Sequence, residues 1–143
     1  VRRGIVVAAA AIACVIAAAL SAGCSMSADS KLAEEAVPEF HRLLDGAKFD
    51  AIYDGSSDEL KQAATRKDFV DLLAAVHRKL GTSGTSNQLN WNVNYNVSGA
   101  YVTLAYQTAY AEGDATEQFV YHLEQGRALL AGYHVNSNAL ILK

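Results

Sequence analysis

Proline, cysteine and methionine are nearly absent from this chain, and no long run of like charge takes their place. Its 143 residues include one proline (Pro38), one methionine, one tryptophan and two cysteines, Cys14 and Cys24. Cys14 lies inside an apolar leader and Cys24 at its end, so a chain that loses the leader has no cysteine pair left for a structural disulfide. The fold must then be held by its core. No His, Cys or acid pair has metal-ligand spacing, so no metal or cofactor is expected, and His41 and His77 read as surface histidines. The loop Thr82-Ser83-Gly84-Thr85-Ser86 lacks the Gly-Lys-Ser/Thr ending of a phosphate loop and reads as a connector. There is no Gly-x-Ser-x-Gly elbow for serine hydrolase chemistry. Beyond residue 23, Lys and Arg cluster no further than isolated pairs such as Arg66-Lys67 and Arg78-Lys79, which makes nucleic acid and anionic lipid surfaces poor partners.

What is present begins at the N-terminus. Arg2-Arg3 is followed by the apolar stretch Ile5 to Leu20 and then by small residues, the three-part pattern of a secretory signal. Leu20-Ser21-Ala22-Gly23-Cys24 resembles the bacterial lipobox, with the usual leucine one place further out and Ser21 in its position. The resemblance implies cleavage after Gly23 and a diacylglyceryl group on the Cys24 sulfur; an uncleaved membrane span is the alternative. Residues 1–23 are thus expected to be a lipoprotein signal peptide, residues 24–30 a lipidated N-terminus with a short polar tether, and residues 31–143 a single domain. By resemblance to Gram-negative sorting, Ser25 favours the outer membrane, facing the periplasm. All fifteen acidic residues follow residue 23 but only ten of the twelve Lys and Arg do, giving the exported part a formal charge of −5.

The pattern after the tether is helical and then changes. Leu32, Ala36, Phe40, Leu43 and Leu44 recur at helical spacing from a candidate N-cap at Ser30 to Gly46, although Pro38 predicts a break or kink. Phe49, Ile52 and Tyr53 suggest one more short helical turn. Thr65-Arg66-Lys67-Asp68 resembles a capping box and opens a second long helix whose apolar face is Phe69, Leu72, Leu73, Val76 and Leu80, with Gly81 as its stop. After Asn87 the period becomes two: Leu89, Trp91, Val93, Tyr95 and Val97 alternate with four asparagines. Strand-like runs follow at about 100–111, 116–124 and 128–136. Two-residue turns at Ser98-Gly99, Gly113-Asp114 and Gln125-Gly126 would give a four-stranded meander with one apolar face, including the rows Trp91–Tyr106–Tyr121–Leu130 and Asn87–Tyr110–Glu117–His134. A single bulge would scramble the later rows.

Helices followed by an antiparallel meander predict an α+β fold, N-terminal helices packed on four strands. Leu43-Leu44-Asp45-Gly46, Phe49 to Tyr53, and Gly126-Arg127 through Ala131-Gly132-Tyr133-His134-Val135 resemble the nuclear transport factor 2-like, or cystatin-like, superfamily. More narrowly they resemble small bacterial lipoproteins with a domain of unassigned function. That likeness implies a cone-shaped sheet wrapped on helices and no particular activity. Tyr110, Glu117 and His134 are the catalytic candidates, with Glu117 and His134 for proton transfer and Tyr110 as a donor to a developing oxyanion; a satisfied polar rim is the competing reading. His122 is expected to be solvated on the outer face. The leading expectation is a lipid-anchored envelope protein that binds or assists without catalysis, its partner an envelope protein or a small apolar ligand. A small pocket enzyme of isomerase, hydratase or lyase type, or an inhibitor or immunity lipoprotein, are the alternatives.

Overall fold

The computed structural model describes residues 25–142. The expected signal peptide and Cys24 lie outside the described residues. The first element, α1, is helical over residues 25–45, so the segment expected as an extended tether is already helix and Ser30 lies within it. Ser30 is buried, and its hydroxyl donates to Glu34 one turn on, at 2.7 Å. Ala33, Val37, Phe40, His41 and Leu44 form its buried stripe, the i, i+4, i+7 spacing of a helix laid on a core. Pro38 does not interrupt α1. It sits on the exposed side, where the carbonyl that loses its N–H partner can turn to water.

Two short helices follow, α2 (Phe49–Asp54) and α3 (Asp58–Ala63). The sequence pattern announces the first but not the second, which is capped by the Ser57 side chain accepting from Leu60 N–H. In α4 (Arg66–Leu80), Thr65 caps the Asp68 N–H as expected and Gly81 closes the helix at φ 74°, a left-handed value that suits glycine. Phe69, Leu73, Val76 and Leu80 are buried, whereas Leu72 is exposed.

The strands β1 (Ser83–Asn96), β2 (Gly99–Tyr110), β3 (Gly113–Glu124) and β4 (Arg127–Asn136) form an antiparallel meander in chain order, followed by α5 (Asn138–Leu142). The chain is therefore α+β, with helices on a four-stranded antiparallel sheet. β1 begins within the stretch expected to be a connector: Asp45 accepts both the Ser83 N–H at 2.9 Å and its hydroxyl at 2.7 Å. The first two turns are Val97-Ser98 and Ala111-Glu112, because Asn96 pairs with Gly99 and Tyr110 with Gly113. Both slips are even, so β2 still turns Val102, Leu104, Tyr106, Thr108 and Tyr110 inward, and β3 turns Ala115, Glu117, Phe119 and Tyr121 inward. The third turn falls at Gln125-Gly126 as expected. A bulge between the pairs Tyr121–Leu130 and Val120–Gly132 then adds Ala131 to β4. One extra residue exchanges the faces, so Tyr133 and Val135 pack on the core and His134 pairs with Gln118 on the other side. Among the described residues, no helix is long and apolar enough to cross a membrane.

Candidate functional site

The inward face of the sheet carries one buried charge. Glu117, on β3, has no solvent exposure, and a carboxylate taken out of water must find donors. Four converge on it. Oε1 accepts from the Tyr110 hydroxyl of β2 and the Tyr133 hydroxyl of β4, each at 2.7 Å. Oε2 accepts from the Thr108 hydroxyl of β2 at 2.7 Å and meets His41 Nε2 of α1 at 2.8 Å. The carboxylate has about four lone-pair directions, and each is used.

Burial pushes the Glu117 carboxyl up. The hydrogen bond and charge of His41, then the hydroxyls of Tyr133 and Thr108, pull it down further, so it lies below the ordinary glutamate value. It is therefore held ionised. The Tyr110 and Tyr133 phenols move the other way, raised first by burial and then by the negative charge they face. Phe119 and Phe40 close the surroundings with aromatic edges; their ring centroids are 5.0 Å apart, and Phe40 lies 4.7 Å from Tyr133.

Of the three sequence candidates, the structure brings Tyr110 and Glu117 together and leaves His134 out. His134 is exposed on the opposite face, one residue out of phase because of the Ala131 bulge. Tyr133 takes the position it was expected to fill. The histidine that does reach Glu117 is His41, which is buried rather than on the surface. Its spacing from Val37 and Leu44 was the available signal, since His41 sits on the same helical stripe. Tyr110 reaches Glu117 diagonally, for the residue opposite Glu117 is Tyr106.

A cleft of about 530 Å³ lies over this network, bordered by Val37, Pro38, His41, Arg42, Ser83 and Tyr106 among others. Of the five network residues only His41 borders it; Glu117, Thr108, Tyr110 and Tyr133 do not line it. Chemically the arrangement is a charge-assisted hydrogen-bond cluster joining α1 to three strands. A base needs a free lone pair within reach of a substrate proton, and Glu117 offers none in this state.

A second polar group occupies the outer face. His122, expected in solvent, is mostly buried: its ring stacks on Tyr101 at 4.5 Å, Nε2 donates to the Ser98 carbonyl at 3.0 Å, and Nδ1 lies 3.1 Å from Glu59. Tyr101 also donates to Glu59 at 2.7 Å. Hydrogen bonds from Ser57 and Tyr101 hold the Glu59 carboxyl down at about 2. His77 packs its ring 5.9 Å from that of Phe49. Among the described residues no cluster of His, Cys, Asp and Glu could hold a metal ion.

A hollow of about 330 Å³ lies between α1, α2 and β4, walled by apolar side chains such as Phe40, Leu43, Ile52 and Leu130 and edged by the charged Glu39 and Arg127.

Among known proteins, a family model described as "Protein of unknown function (DUF4019)" matches residues 36–133. That span holds His41, Thr108, Tyr110 and Glu117 and ends on Tyr133. No curated protein matches the chain.

Proposed function

The chain belongs to the DUF4019 family of proteins of unknown function, which assigns no activity, and we propose that it is a lipid-anchored protein of the bacterial envelope whose domain binds or assists other components without catalysis. The observation that carries the non-catalytic part is the saturation of Glu117 by four donors in a solvent-free setting. The pocket-enzyme alternative needed Glu117, His134 and Tyr110 to converge, and His134 stands on the other face of the sheet.

The address rests on residues 1–24: two arginines, an uncharged apolar stretch, and Ala22-Gly23-Cys24 in the manner of a lipobox. Several acyl chains, each buried CH₂ contributing about 0.8 kcal/mol, would hold the protein on a bilayer permanently. A long helix on a four-stranded meander supports reading the domain as nuclear transport factor 2-like, or cystatin-like. The hollow between α1, α2 and β4 suits a small apolar ligand, being near the lower end of the ~300–1,000 Å³ usual for ligand sites. An envelope protein is the other partner this reading admits.

Labelled palmitate incorporation tests the anchor. The wild-type protein takes up label and fractionates with membranes, while Cys24→Ala does neither. Equal labelling of both would overturn the lipid reading. For the hollow, the purified protein is titrated with decane-saturated buffer while Leu130 methyl resonances are followed. Saturable shifts that Ala36→Trp abolishes support a small apolar ligand, and unmoved resonances remove it in favour of a protein partner.

A further inference from the structure

We propose that the N-terminal end of α1, together with the neighbouring end of β1, is a bilayer-contacting surface, so that the domain rests on zwitterionic lipid instead of hanging from it. The inference depends on acylation of Cys24, and it adds to that reading which face of the domain meets the membrane.

Three observations carry it. First, the chain is helical from residue 25, so Cys24 adjoins the first helical turn. At 1.5 Å per residue, the six residues 25–30 rise about 9 Å, against ~20 Å if extended. Second, exposed apolar and aromatic side chains collect at this end. Met26 is 39% exposed, Trp91 45%, Tyr95 53%, and Val97 fully exposed at the tip of the β1–β2 turn. Isolated exposed apolar residues are ordinary on any surface; a group of them beside a lipid attachment point marks a contact surface. Third, β1 is tied to this part of α1. Trp91 and Met26 border one cleft with Ser27, Ser30, Lys31 and Glu34, and the Tyr95 hydroxyl donates to Asp29 at 2.7 Å.

The residue types select the occupant. Trp and Tyr offer an apolar ring with a polar tip, the chemistry that settles at the headgroup level of a bilayer. The charges alongside are mixed: Asp29 is engaged by Tyr95, and Lys31 stands near Glu34. With no basic cluster there, anionic lipid has nothing to prefer. A second copy of the chain, pairing along the β1 edge, is the competing occupant.

Trp91 is the only tryptophan in the chain, so its fluorescence reports this surface alone. The full lipidated protein is reconstituted into dioleoylphosphatidylcholine vesicles, with acylation verified by mass. The expected result is emission at shorter wavelength than in lipid-free buffer and quenching by brominated phosphatidylcholine. The double variant Met26→Asp/Val97→Asp should lose that quenching while keeping its acyl mass and circular dichroism, and Val97→Asp alone should show a partial loss. Adding phosphatidylglycerol should leave the quenching unchanged. Acylated protein whose Trp91 stays open to iodide and is untouched by brominated lipid overturns the proposal. So does shielding from iodide that grows with protein density while bromine remains ineffective, which assigns the surface to a second copy. A protein without the acyl mass overturns the anchor itself and this inference with it.

Discussion

The His41 imidazole and the Glu117 carboxylate meet at 2.8 Å across 76 residues of chain. This contact pins α1 to β3, and the hydroxyls of Thr108, Tyr110 and Tyr133 add β2 and β4 to the same point. A buried ion is costly unless every lone pair is met, and here α1, β2 and β4 all supply donors to the carboxylate on β3.

Replacing Glu117 with Ala would leave four donors facing a cavity. The expected loss is about 3–5 kcal/mol of folding stability, as for breaking a buried charged pair, measured by urea denaturation. Glu117→Gln preserves shape and should lose less. A loss under about 1 kcal/mol for the alanine variant would mean the cluster contributes little beyond packing.

The bulge in β4 makes a paired prediction. Tyr133→Phe removes one bond to a charged acceptor and should cost about 1.5–3 kcal/mol. His134→Ala, on the exposed face, should stay within about 0.5 kcal/mol of wild type. Reversal of that order would show that β4 keeps the unbulged register.

The pH dependence has opposite signs at the two extremes. The folded Glu117 carboxyl lies below its ordinary value, so on acidification the unfolded chain takes up the proton first. Stability from this group is therefore present above the usual glutamate value of about 4.3 and is lost as pH falls through the lower folded value. Tyr110 and Tyr133 are raised by burial and by the facing charge. Their contribution is present below the usual phenol value of about 10 and is lost as pH rises above it. Melting temperature against pH should fall on both sides, and Glu117→Gln should flatten the acid limb. An unchanged acid limb in that variant would assign acid unfolding to other carboxylates.

Tyr121 differs from its neighbours, since its buried hydroxyl has no hydrogen-bond partner among the described residues. Tyr121→Phe should therefore be neutral or stabilising by about 1 kcal/mol, because it removes a polar atom deprived of water. Destabilisation of more than about 1 kcal/mol in thermal melts would mean that this hydroxyl has a partner in solution.

The long-period features were legible in the sequence, and the local irregularities were not. Alternation after Asn87 and the apolar stripe of α4 announce the strands and the helix because each repeats over many residues. The slips of the first two turns left the inward residues of β2 and β3 unchanged because both are even. The single-residue bulge at Ala131 was not recoverable from pattern. Leu129, Leu130 and Ala131 are all apolar, so no polar residue among them marks which face each one takes. The burial of His41 is hidden in the sequence for a related reason. Its stripe of Val37, Phe40 and Leu44 indicated burial, but the partner that makes a buried histidine tolerable lies 76 residues away on another element. Pro38 does not break α1 because on the exposed side of the helix it costs only one backbone bond.

The cluster at Glu117 also constrains how the chain can come apart. Its donors arrive from α1, β2 and β4, so peeling away any one of these elements strands a charge in a dry interior. Partial opening is thereby penalised, and the helix and sheet are bound to melt together: amides at the centre of β3 should exchange with solvent only in events that unfold the whole domain.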